Sequence, residues 1–165
     1  MPIDDRLSQL EKNLKSLRNQ QHALEEEAIL TTGLPKIQAE QRLEEQIKPK
    51  IREYEKEYWQ VLARQTKTEE IPEQEAEVIV AEIVAEVGQI EVQGQYSDEV
   101  LQILQEIRDK LNQPGPTAAA KLKGVISSIP PFVGISIEGE FDTENFLQQH
   151  FPTFWKWSKV LAKKS

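Results

Sequence analysis

Apolar residues recur along the N-terminal stretch in alternating steps of four and three: Ile3, Leu7, Leu10, Leu14, Leu17, then Gln21, Leu24 and Ala28. That spacing keeps one stripe on one side of a helix, and sustained over several turns it is a heptad seam. Asp4 and Asp5 fall in the first turn, where negative charge suits the helix dipole. The stripe stops at TTGLP. Gly33 is the residue expected just past a helix end, and Pro35 is suited to open the next helix. A second helix is predicted from Pro35 to Gln65, with Ile47, Ile51, Tyr54, Tyr58 and Val61 in the same spacing and Leu43 and Ile37 upstream. Two helices of similar length joined by so short a loop are expected to lie antiparallel. Pro49 is discordant: it lacks a backbone donor, and it is expected to kink or loosen the helix near Glu45.

Beyond the second helix the pattern changes. TKTEEIPEQ, Thr66 to Gln74, is polar, acidic and broken by a proline, and it reads as a linker. AEVIVAEIVAEV (76–87) is rich in β-branched residues, yet Val80, Ile83, Val84 and Val87 share a helical face opposite Glu82 and Glu86. Helix is preferred there over strand, and the alternating GQIEVQG after it reads as a short strand. Ser97 then caps a helix whose stripe is Val100, Leu104, Ile107 and Leu111. NQPGP ends it. A short helix is predicted from Thr117 to Ile129, a strand over GISIEGEF, and a last helix capped by Asp142 between the staple residues Phe141 and Phe146, interrupted by Pro152.

Charge divides the chain further. Residues 67–99 hold ten acids against one lysine, whereas residues 146–165 hold four lysines and no acid, within a net charge of −8. Nucleic-acid binding needs concentrated positive charge, and only that short tail carries any, so no nucleic-acid partner is expected. There is no cysteine, hence no disulfide and no thiolate zinc site. No apolar run approaches the ~18–20 residues that span a bilayer, and MPIDDRLSQ does not read as a signal peptide, so a cytoplasmic location is expected.

Catalytic chemistry finds little support. His22 lies beside the seam and reads as solvated; for His150, packing or a partner contact is favoured over general-base work. No serine sits in a nucleophile-elbow context. Glu25, Glu26, Glu27, Glu53, Glu55 and Glu57 interleave with bases and read as a solvated helical surface. Glu-x-x-His pairs, Walker A and the dinucleotide fingerprint are absent. No enzyme activity, cofactor or metal is expected.

Tyr58 and Trp59 are adjacent, about 100° apart on a helix, so both cannot face one neighbouring helix. A second apolar strip is left over. Either the C-terminal half covers it, or it pairs with another chain, this protein itself included. Gln21 in the leucine seam would then help fix register.

The stretch LEKNLKSLRNQQHALEEEAILTTGLPKIQAEQRLEEQIKPKIREYEKE resembles the small coiled-coil hairpin domains found beside caspase-like, TIR and STAND-type signalling proteins of bacteria, notably cyanobacteria. There a leucine-seam helix leads through an ILTT-like turn to a helix with an LEEQIK-like stretch. The tail, including PPFVGISIEGEFDTENF, is similar to C-terminal segments appended to such proteins; Pro49 departs from the pattern. The resemblance implies a recruiting role by like-with-like association, with no catalytic residues.

The expectation is therefore a mainly α protein in three parts: an antiparallel coiled-coil hairpin (1–66), a flexible acidic linker with a short apolar helix or strand (67–95), and a small helical module with one or two short strands and a basic aromatic tail (96–165). Its function is expected to be non-enzymatic protein–protein adaptation, with Leu7, Leu10, Leu14, Leu17, Leu24, Ile47, Ile51, Tyr54, Tyr58 and Trp59 as contacts. The alternative is peripheral membrane association, or a second partner, through Phe151, Phe154, Trp155 and Trp157 with Lys156, Lys159, Lys163 and Lys164; Pro152 weighs against it.

Overall fold

In the computed structural model the described residues are 3–127 and 143–163, and every regular element among them is helical. The elements are α1 (Ile3–Leu30), α2 (Leu34–Arg42), a π-helical turn (Leu43–Ile47), α3 (Lys48–Thr66), α4 (Glu73–Gln93), α5 (Asp98–Asn112), α6 (residues 118–127), α7 (Thr143–His150) and α8 (Pro152–Lys163). The strand read over GISIEGEF, the cap at Asp142 with Phe141, and Lys164 lie outside the described residues, as do the side chains of Ile3, Asp4 and Asp5. The chain divides into two compact units, Met1–Tyr58 and Trp59–Ser165, so the division falls inside α3, ahead of the boundary read at residue 66.

In the first unit α1 packs against α2, the π turn and α3. Leu7, Leu10, Leu14 and Leu17 are buried, and Leu14 and Leu17 form a cluster with Ile47 and Ile51, flanked by Leu24 and Tyr54. Arg6 pairs with Glu57, Arg18 Nη2 reaches Glu55 Oε1 at 2.5 Å, and Tyr58 Oη donates to Glu11 at 3.2 Å. Residues in the first two-thirds of α1 thus meet the middle turns of α3. Ile37, expected on the seam, is 52% exposed instead.

The local cause lies in the π turn. Pro49 has no N–H, and in a regular helix its ring would press on the carbonyl of Glu45. Here the amide of Lys48 bonds to Leu43 O, five residues back, which widens the helix by one residue ahead of the proline. The buried positions Ala39, Leu43, Ile47 and Ile51 run in steps of four. A 3.6-residue helix would rotate such a stripe away, and the extra residue restores its phase. Of the kink or local loosening expected near Glu45, this turn is the loosening.

The second unit is built on α4. Ala76, Ile79, Ile83, Val87 and Ile90 form its buried stripe, which carries the helix through the GQIEVQG segment read as a strand and through most of the stretch read as linker. Val80 and Val84 flank that stripe half-buried. Gly94, at φ 64°, ends α4 in the left-handed conformation that only glycine adopts cheaply. Ser97 Oγ then accepts from Val100 N at 3.3 Å and starts α5, whose buried face is Val100, Leu104, Ile107 and Leu111. Around these pack Leu122 and Ile126 of α6, Phe146 and Leu147 of α7, and Phe154 and Leu161 of α8. Trp59 stacks on Phe154 with ring centres 6.2 Å apart, and Gln65 Nε2 donates to Leu161 O at 2.9 Å, so the end of α3 belongs to this core.

Four of the acids of α4, Glu73, Glu82, Glu86 and Glu91, have partners within the unit. Glu73 accepts from the amides of Ala118 (2.9 Å) and Ala119 (3.1 Å), capping α6 from outside the helix. Glu82 accepts from Thr153 N at 3.1 Å, at the start of α8. Glu91 pairs with Arg108 of α5. A carboxylate at a helix N-terminus satisfies orphan amides and meets the positive end of the dipole, which accounts for so acidic a segment lying within a packed unit.

Candidate functional site

The residues read as contacts for another chain are mostly covered by this one. Leu7, Leu10, Leu14, Leu17, Ile47, Ile51, Tyr58 and Trp59 are all buried, and Leu24 and Tyr54 are half-buried beside them. A helix pair turns its seams inward, so the seam is the part least available to a partner. Of the two outcomes open for the strip at Tyr58 and Trp59, the described residues show the first: Trp59 is covered by Phe154, from the C-terminal half.

Apolar exposure appears instead at the turn between α1 and α2. Of the seven large hydrophobics that the described residues expose, four fall within 29–37: Ile29 (79%), Leu30 (81%), Leu34 (65%) and Ile37. The other three, Val78, Val92 and Val160, are scattered. The turn itself is tight. Thr31 N and Thr31 Oγ1 both bond Glu27 O, at 3.0 and 2.6 Å, Gly33 takes φ 69°, and Ile37 N bonds Gly33 O at 3.2 Å. A backbone fixed in this way holds its aliphatic side chains toward solvent rather than letting them fold under. Sequence reading missed this group because Ile29 and Leu30 fall off the heptad phase and Leu34 sits in a motif read only as a turn. Two adjacent aliphatics off the stripe, mirrored across a glycine, were the available signal.

The tail aromatics lie mainly inside the second unit. Phe151, Phe154 and Trp157 are buried, while Trp155 is half-buried with Lys159 Nζ 5.4 Å from its ring centre. Positions 154, 157, 158, 161 and 162 form the inward face of α8, leaving Lys156 and Lys163 exposed. The aromatic face proposed for a membrane surface is therefore turned into the core. Among the described residues no helix is long and apolar enough to cross a membrane.

The most organised polar group is at the end of α7. His150, 6% exposed, has Nδ1 2.9 Å from Glu86 Oε1 and Nε2 2.7 Å from Tyr96 Oη. An ionised carboxylate can only accept, so Nδ1 carries the hydrogen, and in the neutral ring Nε2 accepts from the Tyr96 hydroxyl. Phe146 packs against both rings. The order carboxylate–imidazole–hydroxyl is also that found where a base assists a hydroxyl. Burial, and then the charge of Glu86, push the Tyr96 pKa up from its ordinary value. The group ties α4, the α4–α5 turn and the end of α7 together. His22, by contrast, is exposed, 3.4 Å from Glu26 one turn along α1.

Among the described residues no cluster of three or more His, Asp or Glu side chains is arranged to hold a metal ion. No family model, curated protein or solved structure matches the chain.

Proposed function

We propose that this protein is a non-enzymatic adaptor whose N-terminal helices form an antiparallel coiled-coil hairpin that docks another protein chain through its tip. The observation that carries this reading is the group of aliphatics at Ile29, Leu30, Leu34 and Ile37, exposed on a turn whose backbone is fixed by its own hydrogen bonds. Four large exposed aliphatics gathered on one turn differ from the singly scattered apolar residues of an ordinary surface, and such groupings mark contact sites. The internally satisfied seam supports the same view, because a closed helix pair is a rigid arm presenting that end. The resemblance to hairpin domains of bacterial signalling proteins supports a place in signalling or conflict systems. No cofactor enters this reading.

The test is affinity purification of the intact chain from its host beside an I29S/L30S variant. These side chains are solvent-facing, so the variant keeps its helical circular dichroism and melting temperature. A partner held by the intact chain and lost by the variant is the expected result. Capture indifferent to the tip, or no capture at all, would remove this function. Point replacements serve better than deleting residues 1–66, because that deletion also strips Trp59 from the second unit.

A further inference from the structure

Glu25, Glu26 and Glu27 are all exposed; Glu27 lies in the last turn of α1, which contains no base, and Glu25 and Glu26 lie in the turn before it. The C-terminal end of a helix is the negative end of its dipole, where acids are disfavoured and cations preferred. Among the described residues, Glu25 and Glu27 have no cation within ion-pair distance, and Glu26 has only His22, at 3.4 Å. By contrast, Glu91 in the last turn of α4 is offset by Arg108, and the carboxylates of Glu73 and Glu82 meet the N-termini of α6 and α8. The acids beside the apolar tip thus lack such an offset among the described residues, and breaks of a local rule of this kind fall at functional sites. Helix geometry puts Glu25 one turn before Ile29 and Glu26 one turn before Leu30 on shared faces.

Resting on the reading of the tip as a docking surface, we infer that its partner is a protein groove with an apolar floor and a basic rim on the α1 side. The aliphatics enter the groove, and lysines or arginines along its edge meet Glu25–Glu27 and relieve the unfavourable end of the helix. Charge at a rim acts chiefly on association rate and partner choice, so binding weakens as salt screens it.

The probe is an amphipathic helical peptide with a leucine face bordered by lysines, its leucine–glutamate counterpart being the control, titrated against the full chain. The lysine peptide should bind and the glutamate peptide should not. E25Q/E26Q/E27Q should weaken binding about fivefold at low salt, whereas neutralising as many exposed acids elsewhere, E70Q/E75Q/E77Q, should change it less than about twofold. Carbodiimide should couple Glu25–Glu27 to the peptide lysines. Equal effects from the two triple variants, coupling at other carboxylates, or a second copy of the chain displacing the peptide would overturn the inference and leave the docking tip standing. Binding unaffected by I29S/L30S would remove the docking tip itself.

Discussion

Tyr96 and Leu14 represent two kinds of residue effect, one electrostatic and one of packing. Tyr96 has its pKa raised in the folded chain by burial and then by the charge of Glu86. The folded state therefore favours the protonated phenol more than the unfolded chain does. That contribution is whole below the ordinary tyrosine value and is lost as pH rises through the higher folded-state value. The melting temperature of the intact protein should accordingly fall more steeply at alkaline pH than that of Y96F, in step with tyrosinate absorbance. Parallel profiles for the two proteins would contradict this account. Leu14 is 6% exposed against Leu17, Ile47 and Ile51, so Leu14→Ala should cost ~2–5 kcal/mol in urea denaturation. Leu30→Ser, at a side chain 81% exposed, should stay within about 0.5 kcal/mol. The contrast also explains what could be read beforehand. Leu14 announces itself by a spacing of three and four within its own helix. The bond from Tyr96 to His150 joins residues 54 apart in sequence, and no local pattern encodes such a meeting.

At the scale of elements, α1 and α5 were legible because each carries one stripe of a single period ending at a recognisable cap. α4 was legible only in part. Its β-branched residues pull toward strand, and its acids mimic a linker until their partners on α5, α6 and α8 are known. Glu73→Ala should cost about 0.5–2 kcal/mol, the range for losing an N-terminal cap, and should speed amide exchange at Ala118 and Ala119 before the rest of the unit. The π turn was legible as trouble at Pro49 but not as its remedy, since one extra residue in a helix leaves only a stripe running in fours. Deleting Glu45 tests this remedy. The deletion returns the buried stripe to ordinary α phase but brings the proline ring back against a carbonyl, at ~3 kcal/mol or more. Combining the deletion with P49A should recover most of that loss, as read by thermal melting. Equal damage from the single and double changes would mean that the extra residue serves something other than the proline and the stripe.

At the scale of the whole chain, the decisive point is where one compact unit ends and the next begins. Composition put the boundary at Thr66, where polar and acidic residues begin. Packing puts it between Tyr58 and Trp59. The difference arises because an apolar side chain late in a helix looks the same in sequence whichever body it packs into. Trp59 stacks on Phe154, and Gln65 bonds the carbonyl of Leu161, so the last two turns of α3 are structural parts of the second unit. Burying one large apolar side chain is worth about 1.5–3 kcal/mol, and a whole domain is stable by only about 5–15 kcal/mol. Losing Trp59 together with Leu62, which has no exposed surface, therefore removes a large share of what holds the unit folded. A fragment of residues 59–165 should melt cooperatively and keep the near-ultraviolet circular dichroism of packed tryptophans. A fragment of residues 67–165 should give a broad, weakly cooperative transition and bind a hydrophobic dye, because the face of Phe154 that Trp59 covers is then open. If the shorter fragment melted as sharply and as high as the longer one, α3 would be an arm of the first unit alone, and the tip, the seam and all of α3 could be cut from the chain as one working piece.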